Sequence, residues 1–449
     1  MRPEPAVAAD PLVLESLDHE GRGVGHVDGK VVFVDGGLAG ERVSYAIRRS
    51  KASYAIADVV DVLKPSAARV VPRCPHFGVC GGCSMQHLDT TAQVAVKQRV
   101  LEDNLMRIGR VRAERTLAPI HGPSWHYRHR ARLSVRIVEK KGGALVGFHE
   151  KRSSYVADMR ECHVLPAATS ALLVPLRALV ESLSIARRVP QIEVAIGEDD
   201  DRRVLQTILV FRHLEPFTTR DEELLAAFGR THGVSVWLQA KGPDTVRPLD
   251  PAAPRELAYS LPEYDVRMTF RPTDFTQVNA GINRVLVHRA VRMLELEPED
   301  RVADLFCGLG NFSLPIARTS RAVVGFEGSR SLTERAAANA SAHGLGERVR
   351  FAVANLFEVD AAFFAAQGRF DKVLVDPPRD GAIAVVKAFA DLGDEAPRRI
   401  VYVSCNPSTL ARDAAVLTTQ AGYRLREAGI VNMFPQTSHV ESIALFTRD

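Results

Sequence analysis

Long apolar runs are missing from this sequence. No stretch reaches the roughly 18 consecutive apolar residues that a membrane-spanning helix needs, although hydrophobic residues make up 46% of the chain. The first ten residues carry two acidic side chains and no apolar core, unlike a secretory signal. We therefore expect a cytoplasmic protein without membrane contact, and the sequence gives no sign of an obligate protein partner.

Cysteine is scarce as well, since the 449 residues contain six. The cytosol keeps thiols reduced, so these cysteines need an explanation other than disulfides. Five residues separate Cys74 from Cys80, two separate Cys80 from Cys83, and Cys162 follows far downstream. Four thiolates can hold a 4Fe–4S cluster or a structural zinc. The spacing favours iron–sulfur, because zinc sites usually contain two closely spaced cysteine pairs, but it leaves zinc open.

A large excess of either charge is also absent, because the formal net charge is only +4. The basic residues are unevenly distributed, however: between Arg107 and Arg160 there are 13 Lys or Arg and 4 Asp or Glu. Within this segment, residues 125–136 mix aromatic and cationic side chains, which stack on unpaired bases and bind phosphates. The segment predicts RNA binding, and a solvated basic face is the alternative.

Hydrophobic periodicity divides the chain into regions. Residues 11–63 contain short strand-like runs between turns, as in a small β-barrel. Residues 90–109 have helical spacing, and residues 116–265 alternate strand-like and helical runs. From about residue 282, regular alternation predicts an open, mostly parallel sheet with helices on both faces and an antiparallel pair at 423–447. The apolar face predicted for the 90–109 helix comprises Val94, Val100, Leu101, Leu105 and Ile108.

The turn after the first parallel strand contains Gly308 and Gly310. A dinucleotide fingerprint needs Gly or Ala three positions after the second glycine, where this chain has Ser313. Glu327 ends the next strand, where a carboxylate accepts hydrogen bonds from ribose hydroxyls. Together these features favour adenosine carrying methionine as the ligand, with a simple packing turn as the alternative. Asp376, after the fourth strand, is a further site candidate or else a helix N-cap.

Cys405 follows the fifth strand in a polar Ser-Cys-Asn-Pro turn, which fits poorly with an inert buried cysteine. A thiolate that adds to carbon 6 of uracil makes carbon 5 nucleophilic enough to accept a methyl group. A base must then remove the carbon 5 proton before the thiolate can leave. Glu441, just before an apolar strand, is the candidate base, although position alone does not favour it over His439.

Five segments resemble, in order and spacing, the motifs of the RNA uracil-5-methyltransferases. They are 275–279 (FTQVN), 304–312 (DLFCGLGNF), 376–379 (DPPR), 404–407 (SCNP) and 439–442 (HVES). The resemblance implies that Cys405 is the nucleophile and Glu441 the proton-abstracting base. It also implies contacts to the cofactor S-adenosylmethionine from Gln277, Phe306, Asn311, Glu327, Asn355 and Asp376.

The upstream half is similar to one subfamily, the RlmD (RumA) type, which acts on 23S ribosomal RNA. The fold class implied is α/β in three parts: a TRAM-like, OB-like RNA-binding β-barrel at 1–65; a central α+β domain at 66–88 and 116–265; and a Rossmann-like methyltransferase domain at 89–115 and 266–449. In the central domain, a structural 4Fe–4S cluster would be held by Cys74, Cys80, Cys83 and Cys162. The target uridine of 23S rRNA would have to leave its stack to reach the nucleophile.

Other functions agree less well with these motifs. A tRNA uracil-5-methyltransferase would share the chemistry, but such relatives generally lack the TRAM-like domain and the cysteine cluster. RNA cytosine-5-methyltransferases usually carry a second cysteine in the Asp-Pro-Pro region, and residues 376–381 contain none. A catalytically silent RNA-binding protein would not need Cys405 and Glu441, and Ser313 disfavours an NAD-dependent oxidoreductase.

Overall fold

A computed structural model describes residues 10–198, 205–253 and 256–448. The outermost parts of the predicted first and last domains, residues 1–9 and 449, lie outside these residues, as do 199–204 and 254–255. The strands of the described ranges form three sheets. No helix in these ranges is both long and apolar enough to cross a membrane.

The N-terminal region is a curled six-stranded sheet of order β1-β5-β6-β4-β3-β2. Alternate residues point inward to a small core that includes Leu14, Val34 and Val43. A Cβ at Gly25 would lie 2.6 Å from the Val13 carbonyl oxygen, so glycine permits the close approach that closes the barrel. Its strands are β1 (Leu12–Val13), β2 (Ser16–Leu17), β3 (Gly23–Val27), β4 (Lys30–Asp35), β5 (Arg42–Ser50) and β6 (Tyr54–Lys64).

Helix α1 (Thr90–Asn104) begins at Asp89, whose carboxylate accepts hydrogen bonds from the backbone amides of Thr91 and Ala92. It continues as a π-helical turn over Leu105–Gly109, and the strand β7 (Arg115–Thr116) follows. The predicted helix is confirmed. The assignment of Ile108 to its apolar face was wrong, because this side chain is 50% exposed. The wider π-turn breaks the 3.6-residue period and rotates this side chain away from the core.

The central region is an eight-stranded mixed sheet of order β13-β12-β11-β10-β14-β15, with β8 also paired to β10 and β9 to β8. Helices α3 and α4 pack on it over a core of Leu, Val and Ile side chains. The last strand ends at Phe270, so the sheet continues past the predicted domain boundary at 265. The elements are β8 (Arg130–Val138), β9 (Gly143–Gly147), α2 (Ala167–Ser170), α3 (Leu173–Ser182), β10 (Gln191–Glu198), β11 (Leu205–Arg212), α4 (Thr219–His232), β12 (Ser235–Gln239), β13 (Val246–Pro248), β14 (Leu257–Leu261) and β15 (Val266–Phe270).

The C-terminal region is an eight-stranded sheet of order β18-β17-β16-β19-β20-β22-β21-β7. Alternate residues of its parallel strands face two separate cores, as with Val302 and Ala303, so helices cover both faces as predicted. The antiparallel pair predicted at 423–447 is also confirmed. The elements are α5 (Ala280–Leu294), β16 (Arg301–Leu305), α6 (Ser313–Ala317), β17 (Ala322–Glu327), α7 (Arg330–Ala342), β18 (Val349–Val353), α8 (Ala361–Gln367), β19 (Lys372–Val375), α9 (Ile383–Asp391), β20 (Arg399–Ser404), α10 (Pro407–Thr419), β21 (Arg424–Val431) and β22 (Glu441–Thr447).

The strand order of the C-terminal sheet reverses between β16 and β19. At such a point the loops that follow neighbouring strands diverge to opposite faces and leave a crevice at the carboxyl ends of the strands. The antiparallel strand β22 begins at the same edge, because Ser442 is paired with Ser404 at the end of β20. The fold thus brings the loops after the five parallel strands and the start of β22 to one place.

Candidate active site

A cavity of about 830 Å³ opens at the carboxyl ends of β16, β17, β18, β19 and β20. This size is typical of pockets that bind cofactors and other small molecules. Of the eight predicted catalytic and cofactor residues, seven line it: Gln277, Phe306, Glu327, Asn355, Asp376, Cys405 and Glu441. Residues that are far apart in the sequence are therefore brought together at the predicted edge of the sheet.

The glycine turn fixes the carboxylate at the end of β17. Gly308 has a φ of +54°, a left-handed conformation that glycine adopts without steric cost. Its amide donates to Glu327 Oε2 at 3.2 Å, and the Ser329 amide donates to Oε1 at 2.9 Å. A carboxylate held at two points retains lone pairs that face the cavity and can accept hydrogen bonds from ribose hydroxyls.

Asn311 does not line the cavity with the other predicted residues. Its Oδ1 accepts hydrogen bonds from the Tyr259 hydroxyl at 2.9 Å and from Asn283 Nδ2 at 3.0 Å. Its Nδ2 in turn donates to Asn283 Oδ1 at 3.0 Å. The amide therefore ties the glycine turn to α5 in this structure, and its predicted contact with the cofactor stays a prediction.

Strand pairing places the two predicted catalytic residues side by side. The register of β20 with β22 pairs Ser404 with Ser442, so Cys405 and Glu441 are the next pair beyond it on two antiparallel strands. The Ser442 hydroxyl also donates to the Ser404 carbonyl oxygen at 3.4 Å. The thiol and the carboxyl group consequently lie at the same edge of the sheet, next to the cavity.

Desolvation and like charges shape the acid–base chemistry of this edge. Burial, together with Glu441 and Asp376, raises the pKa of the Cys405 thiol to about 11, and Arg379 opposes them. Although part of Asp376 faces the cavity, burial of its carboxyl group raises its pKa to about 8, with Glu441 and Asp304 acting in the same direction. Near neutral pH the protein therefore presents Cys405 as a thiol and Asp376 mainly as a neutral acid.

Glu441 is 6% exposed, and its Oε2 is buried without a hydrogen-bond partner among the described residues. Its Oε1 lies 3.8 Å from Nε2 of His439. Buried carboxyl oxygens are costly when they are unsatisfied.

The cavity thus combines a mostly apolar wall with three acidic side chains, those of Glu327, Asp376 and Glu441, and is electrostatically suited to a ligand that carries positive charge.

Several aromatic residues of the cavity were not predicted as site residues. Phe357, after β18, lies with its ring centroid 5.6 Å from that of Phe306. Phe434 packs edge-on against His439 at 4.6 Å. Both residues follow strands of the same sheet, and this position could have indicated them as site residues. They were missed because neither lies in a segment with hydrophobic periodicity.

The four cysteines predicted to bind a metal meet in the central region. Cys74, Cys80, Cys83 and Cys162 line one cavity of about 20 Å³, and all four are free thiols. Burial raises the pKa of Cys80 to about 11 and that of Cys83 to about 12, and the other thiols of the group act in the same direction. As placed, they do not form an arrangement that could hold a metal ion, and the described residues contain no other such group. The structure therefore shows that the predicted ligands converge, but it does not show the cluster.

The basic and aromatic stretch 125–136 is partly structural. Tyr127 is 6% exposed, and its hydroxyl donates to the Pro435 carbonyl oxygen at 2.9 Å. Arg130 donates to backbone carbonyls of Pro272 and Asp274. Tyr127 is therefore not available to stack on a base, whereas Arg132 and Arg136 are exposed on alternate positions of β8.

The complete fold is similar to that of a solved methyltransferase. The crystal structure of Pyrococcus abyssi tRNA (uracil-54, C5)-methyltransferase in complex with S-adenosyl-L-homocysteine matches with a TM-score of 0.72, over 97% of this chain and 100% of that one. The sequences are 24% identical, so this likeness establishes the fold alone. The three-part architecture is thus that of a methyltransferase with additional domains.

Sequence comparisons identify the family. The family described as tRNA (Uracil-5-)-methyltransferase matches residues 90–449, and the TRAM domain matches residues 12–60. Relatives named 23S rRNA (uracil(1939)-C(5))-methyltransferase RlmD are 60% identical in Bordetella parapertussis, over 97% of this chain and 93% of the relative, and 62% identical in Aromatoleum aromaticum, over 97% and 99%. The chain therefore belongs to the RNA uracil-5-methyltransferase family, within its RlmD type. The predicted family, the TRAM domain and the enzyme class, an S-adenosylmethionine-dependent uracil-C5-methyltransferase, are confirmed.

The raised pKa of Cys405 predicts slow alkylation of the free protein. At pH 7.5 only a small fraction is thiolate, and the rate should rise about tenfold per pH unit until the pH approaches 11. Peptide mass spectrometry after timed iodoacetamide treatment would follow the Cys405 peptide separately from the other five cysteines. A rate that levels off near pH 8.5, the ordinary thiol range, would contradict this assignment.

Proposed function

We propose that this protein transfers a methyl group from S-adenosylmethionine to carbon 5 of a specific uridine in 23S ribosomal RNA and forms 5-methyluridine. The observation that carries the proposal is the pairing of Ser404 with Ser442, which places Cys405 beside Glu441 at the edge of the cavity. The names of the RlmD relatives, which match nearly the whole chain, support 23S rRNA as the substrate.

Cys405 is the proposed nucleophile. The Cys405 thiol first gives its proton to water. Its sulfur then forms a bond to carbon 6 of the uracil, and the electron pair of the carbon 5–carbon 6 double bond moves toward the carbonyl at carbon 4, giving an enolate. Asp376, with a pKa of about 8, is mainly protonated near neutral pH and can donate a hydrogen bond to a pyrimidine carbonyl. S-adenosylmethionine bound in the same cavity would supply the electrophilic methyl group that carbon 5 accepts, with S-adenosylhomocysteine as the leaving group.

Glu441 is the proposed general base. Once carbon 5 carries the methyl group, the Glu441 carboxylate takes the remaining proton from it. The electron pair of that bond restores the double bond, and the Cys405 sulfur leaves as thiolate. The unpartnered Oε2 of Glu441 provides the free lone pairs that this step requires. His439, whose Nε2 lies 3.8 Å from Oε1, supports this orientation of the carboxylate.

The cofactor fits the residues of the cavity. Glu327, held by the amides of Gly308 and Ser329, would accept hydrogen bonds from the ribose hydroxyls. Phe306 and Phe357 offer aromatic surface for the adenine ring. The positive sulfonium group suits the acidic side chains of the cavity, and Asn355 and Gln277 supply amides on its wall.

The four cysteines are proposed to hold a structural 4Fe–4S cluster. Their convergence on one enclosed apolar cavity supports the proposal. Ionised thiols are all negatively charged and repel one another, so four of them at one place need a cation between them. Binding would require the sulfurs to separate from their present positions around a cavity of about 20 Å³. The cluster takes no part in the methylation chemistry, which involves no electron transfer.

The domain division proposed from the sequence assigns RNA binding to the outer parts of the molecule. The TRAM barrel at 1–65 and the exposed arginines Arg132 and Arg136 of the central domain are the proposed phosphate contacts. Because the cavity is enclosed by the loops after the strands, the target uridine must be unstacked to reach Cys405.

Transfer RNA is the second candidate substrate, because the matching family and the solved structure carry tRNA in their names. We predict that label from tritiated S-adenosylmethionine appears in unmodified 23S rRNA as 5-methyluridine, and that unmodified tRNA stays unlabelled in a parallel reaction. Nucleoside analysis of both products makes the measurement. Label confined to tRNA would overturn the substrate, and label in neither RNA would overturn the activity.

Removal of the base should stall the reaction after methyl transfer. In Glu441→Gln the carbon 5 proton has no acceptor, so the covalent adduct of Cys405 with methylated RNA should accumulate while turnover falls roughly 100-fold or more. Denaturing gels of labelled RNA would show the adduct, and Glu334→Gln, an exposed carboxyl on α7, is the matched control. Normal turnover by Glu441→Gln would contradict the assigned role of the base. Absence of an adduct in Glu441→Gln, together with retained activity in Cys405→Ala, would contradict the assigned role of the nucleophile.

Anaerobically purified protein should contain about four iron and four sulfide per chain. Cys83→Ala should lose this iron together with its visible absorption, whereas Cys307→Ala, which changes a buried cysteine of another region, should retain it. Metal analysis that finds one zinc and no sulfide would replace the iron–sulfur proposal with a structural zinc.

A further inference from the structure

Lys97 on α1 is an unusual residue for a protein interior, because it is 1% exposed. Its ammonium group donates to Asn432 Oδ1 at 2.7 Å and to the Phe434 carbonyl oxygen at 2.9 Å. Among the described residues no carboxylate lies within ion-pairing distance of it. A lysine amine buried against two neutral acceptors is costly, so its position needs an explanation beyond packing.

Both acceptors belong to the segment that connects β21 to β22, residues 432–440, which we call the base loop. Gln93, one turn before Lys97 on α1, holds the same segment. Its Nε2 donates to Gln436 Oε1 at 3.0 Å, and the Gln436 amide donates to Gln93 Oε1 at 2.9 Å. Gln436 is buried with a φ of +69°, a conformation that needs such support in a non-glycine residue.

The base loop leads directly to Glu441 and forms one wall of the cavity. Phe434 and His439 of the loop line the cavity and pack on each other. Displacement of the loop would therefore move both the wall and the carboxyl group that begins β22. Lys97 holds the loop at the backbone of a residue that lines the cavity, which is a direct structural connection between α1 and the proposed base.

Charge connects the two residues as well. The ionisable groups that face Glu441 are His439 from the base loop, Cys405 after β20, Asp376 after β19 and Lys97 from α1. Burial lowers the pKa of Lys97 to about 7, and the negative charge of Glu441 acts against that decrease. Near neutral pH the Lys97 amine is therefore only partly charged, and its hydrogen bonds to the base loop, which a neutral amine also donates, carry its role.

We propose that Lys97 is a positioning residue of the active site, which fixes the base loop and thereby holds the Glu441 carboxyl group in place for proton removal. The inference rests on the proposed role of Glu441 and adds a residue outside the family motifs identified in the sequence. It assigns α1, which lies far upstream of the catalytic strands, a part in the second half of the reaction.

Lys97→Met keeps the aliphatic stem and removes the charge and the donors. We expect turnover to fall roughly 10- to 100-fold, with the affinity for S-adenosylmethionine little changed and the methylated covalent adduct accumulating, because proton removal is slowed. Single-turnover assays on 23S rRNA between pH 5 and 9, read by label release and by denaturing gels, measure both effects.

Three further variants separate this role from simple packing. Lys387→Met makes the same change on the exposed face of α9 and should behave like the wild type. Lys97→Gln is neutral but retains donors, so it should recover part of the turnover that Lys97→Met loses. In the double variant Lys97→Met with Asn432→Leu, the buried Lys97–Asn432 pair is replaced and only the Phe434 carbonyl oxygen loses its partner, so thermal stability should recover in part but turnover should not.

Wild-type turnover and adduct levels in a folded Lys97→Met variant would overturn the inference. Recovery of activity together with stability in the double variant, or reduced turnover without accumulation of the adduct, would also overturn it, because either result indicates a packing role alone. Failure of the proposed function gives a different result, in which the wild-type protein itself neither labels RNA nor forms an adduct.

Discussion

The antiparallel pairing of β22 with β20 is the constraint on which the rest of the active site depends. The parallel strands bring their loops to one edge, but a parallel sheet alone places only strand ends there. Because β22 runs in the opposite direction, its beginning meets the end of β20, and the register of Ser404 with Ser442 puts Glu441 next to Cys405. A slip of one residue would turn the Glu441 side chain to the other face of the sheet.

The base loop between β21 and β22 is held by three other parts of the chain. From α1, Gln93 and Lys97 bind it; from the central region, the Tyr127 hydroxyl donates to the Pro435 carbonyl oxygen. The segment after Cys83 binds it too, since the Ser84 and Met85 amides both donate to the Gln436 carbonyl oxygen at 3.0 Å. The cysteine-bearing segment is thus next to the active site in space, so a cluster that orders this segment would also help to order the wall of the cavity.

Electrostatics gives the cavity its chemical character. Desolvation raises the pKa of Asp376 and Cys405, so the free protein holds a neutral acid and a thiol where the reaction needs a hydrogen-bond donor and a thiolate. A positively charged ligand beside these groups would favour the thiolate.

Much of this could be predicted from the sequence, because local patterns carry it. The strand and helix alternation after residue 282 predicted the parallel sheet, and the motifs at 404–407 and 439–442 predicted Cys405 and Glu441. The spacing of Cys74, Cys80 and Cys83 with Cys162 predicted that the four would meet, as they do. Such features depend on periodicity, on turn residues and on which end of a strand a side chain follows.

Only the tertiary structure decided the remaining features, since they depend on contacts between residues far apart in the chain. The π-helical turn exposed Ile108, Tyr127 was buried by its hydrogen bond to Pro435, and Asn311 was engaged by Asn283 and Tyr259. Lys97 carries no signal in its local sequence, because nothing near it on α1 indicates that Asn432 and Phe434 will surround its ammonium group. The sequence by itself determined the family, the sheet and the proposed catalytic pair; the tertiary packing decided which polar groups are free to act and which are used to hold them in place.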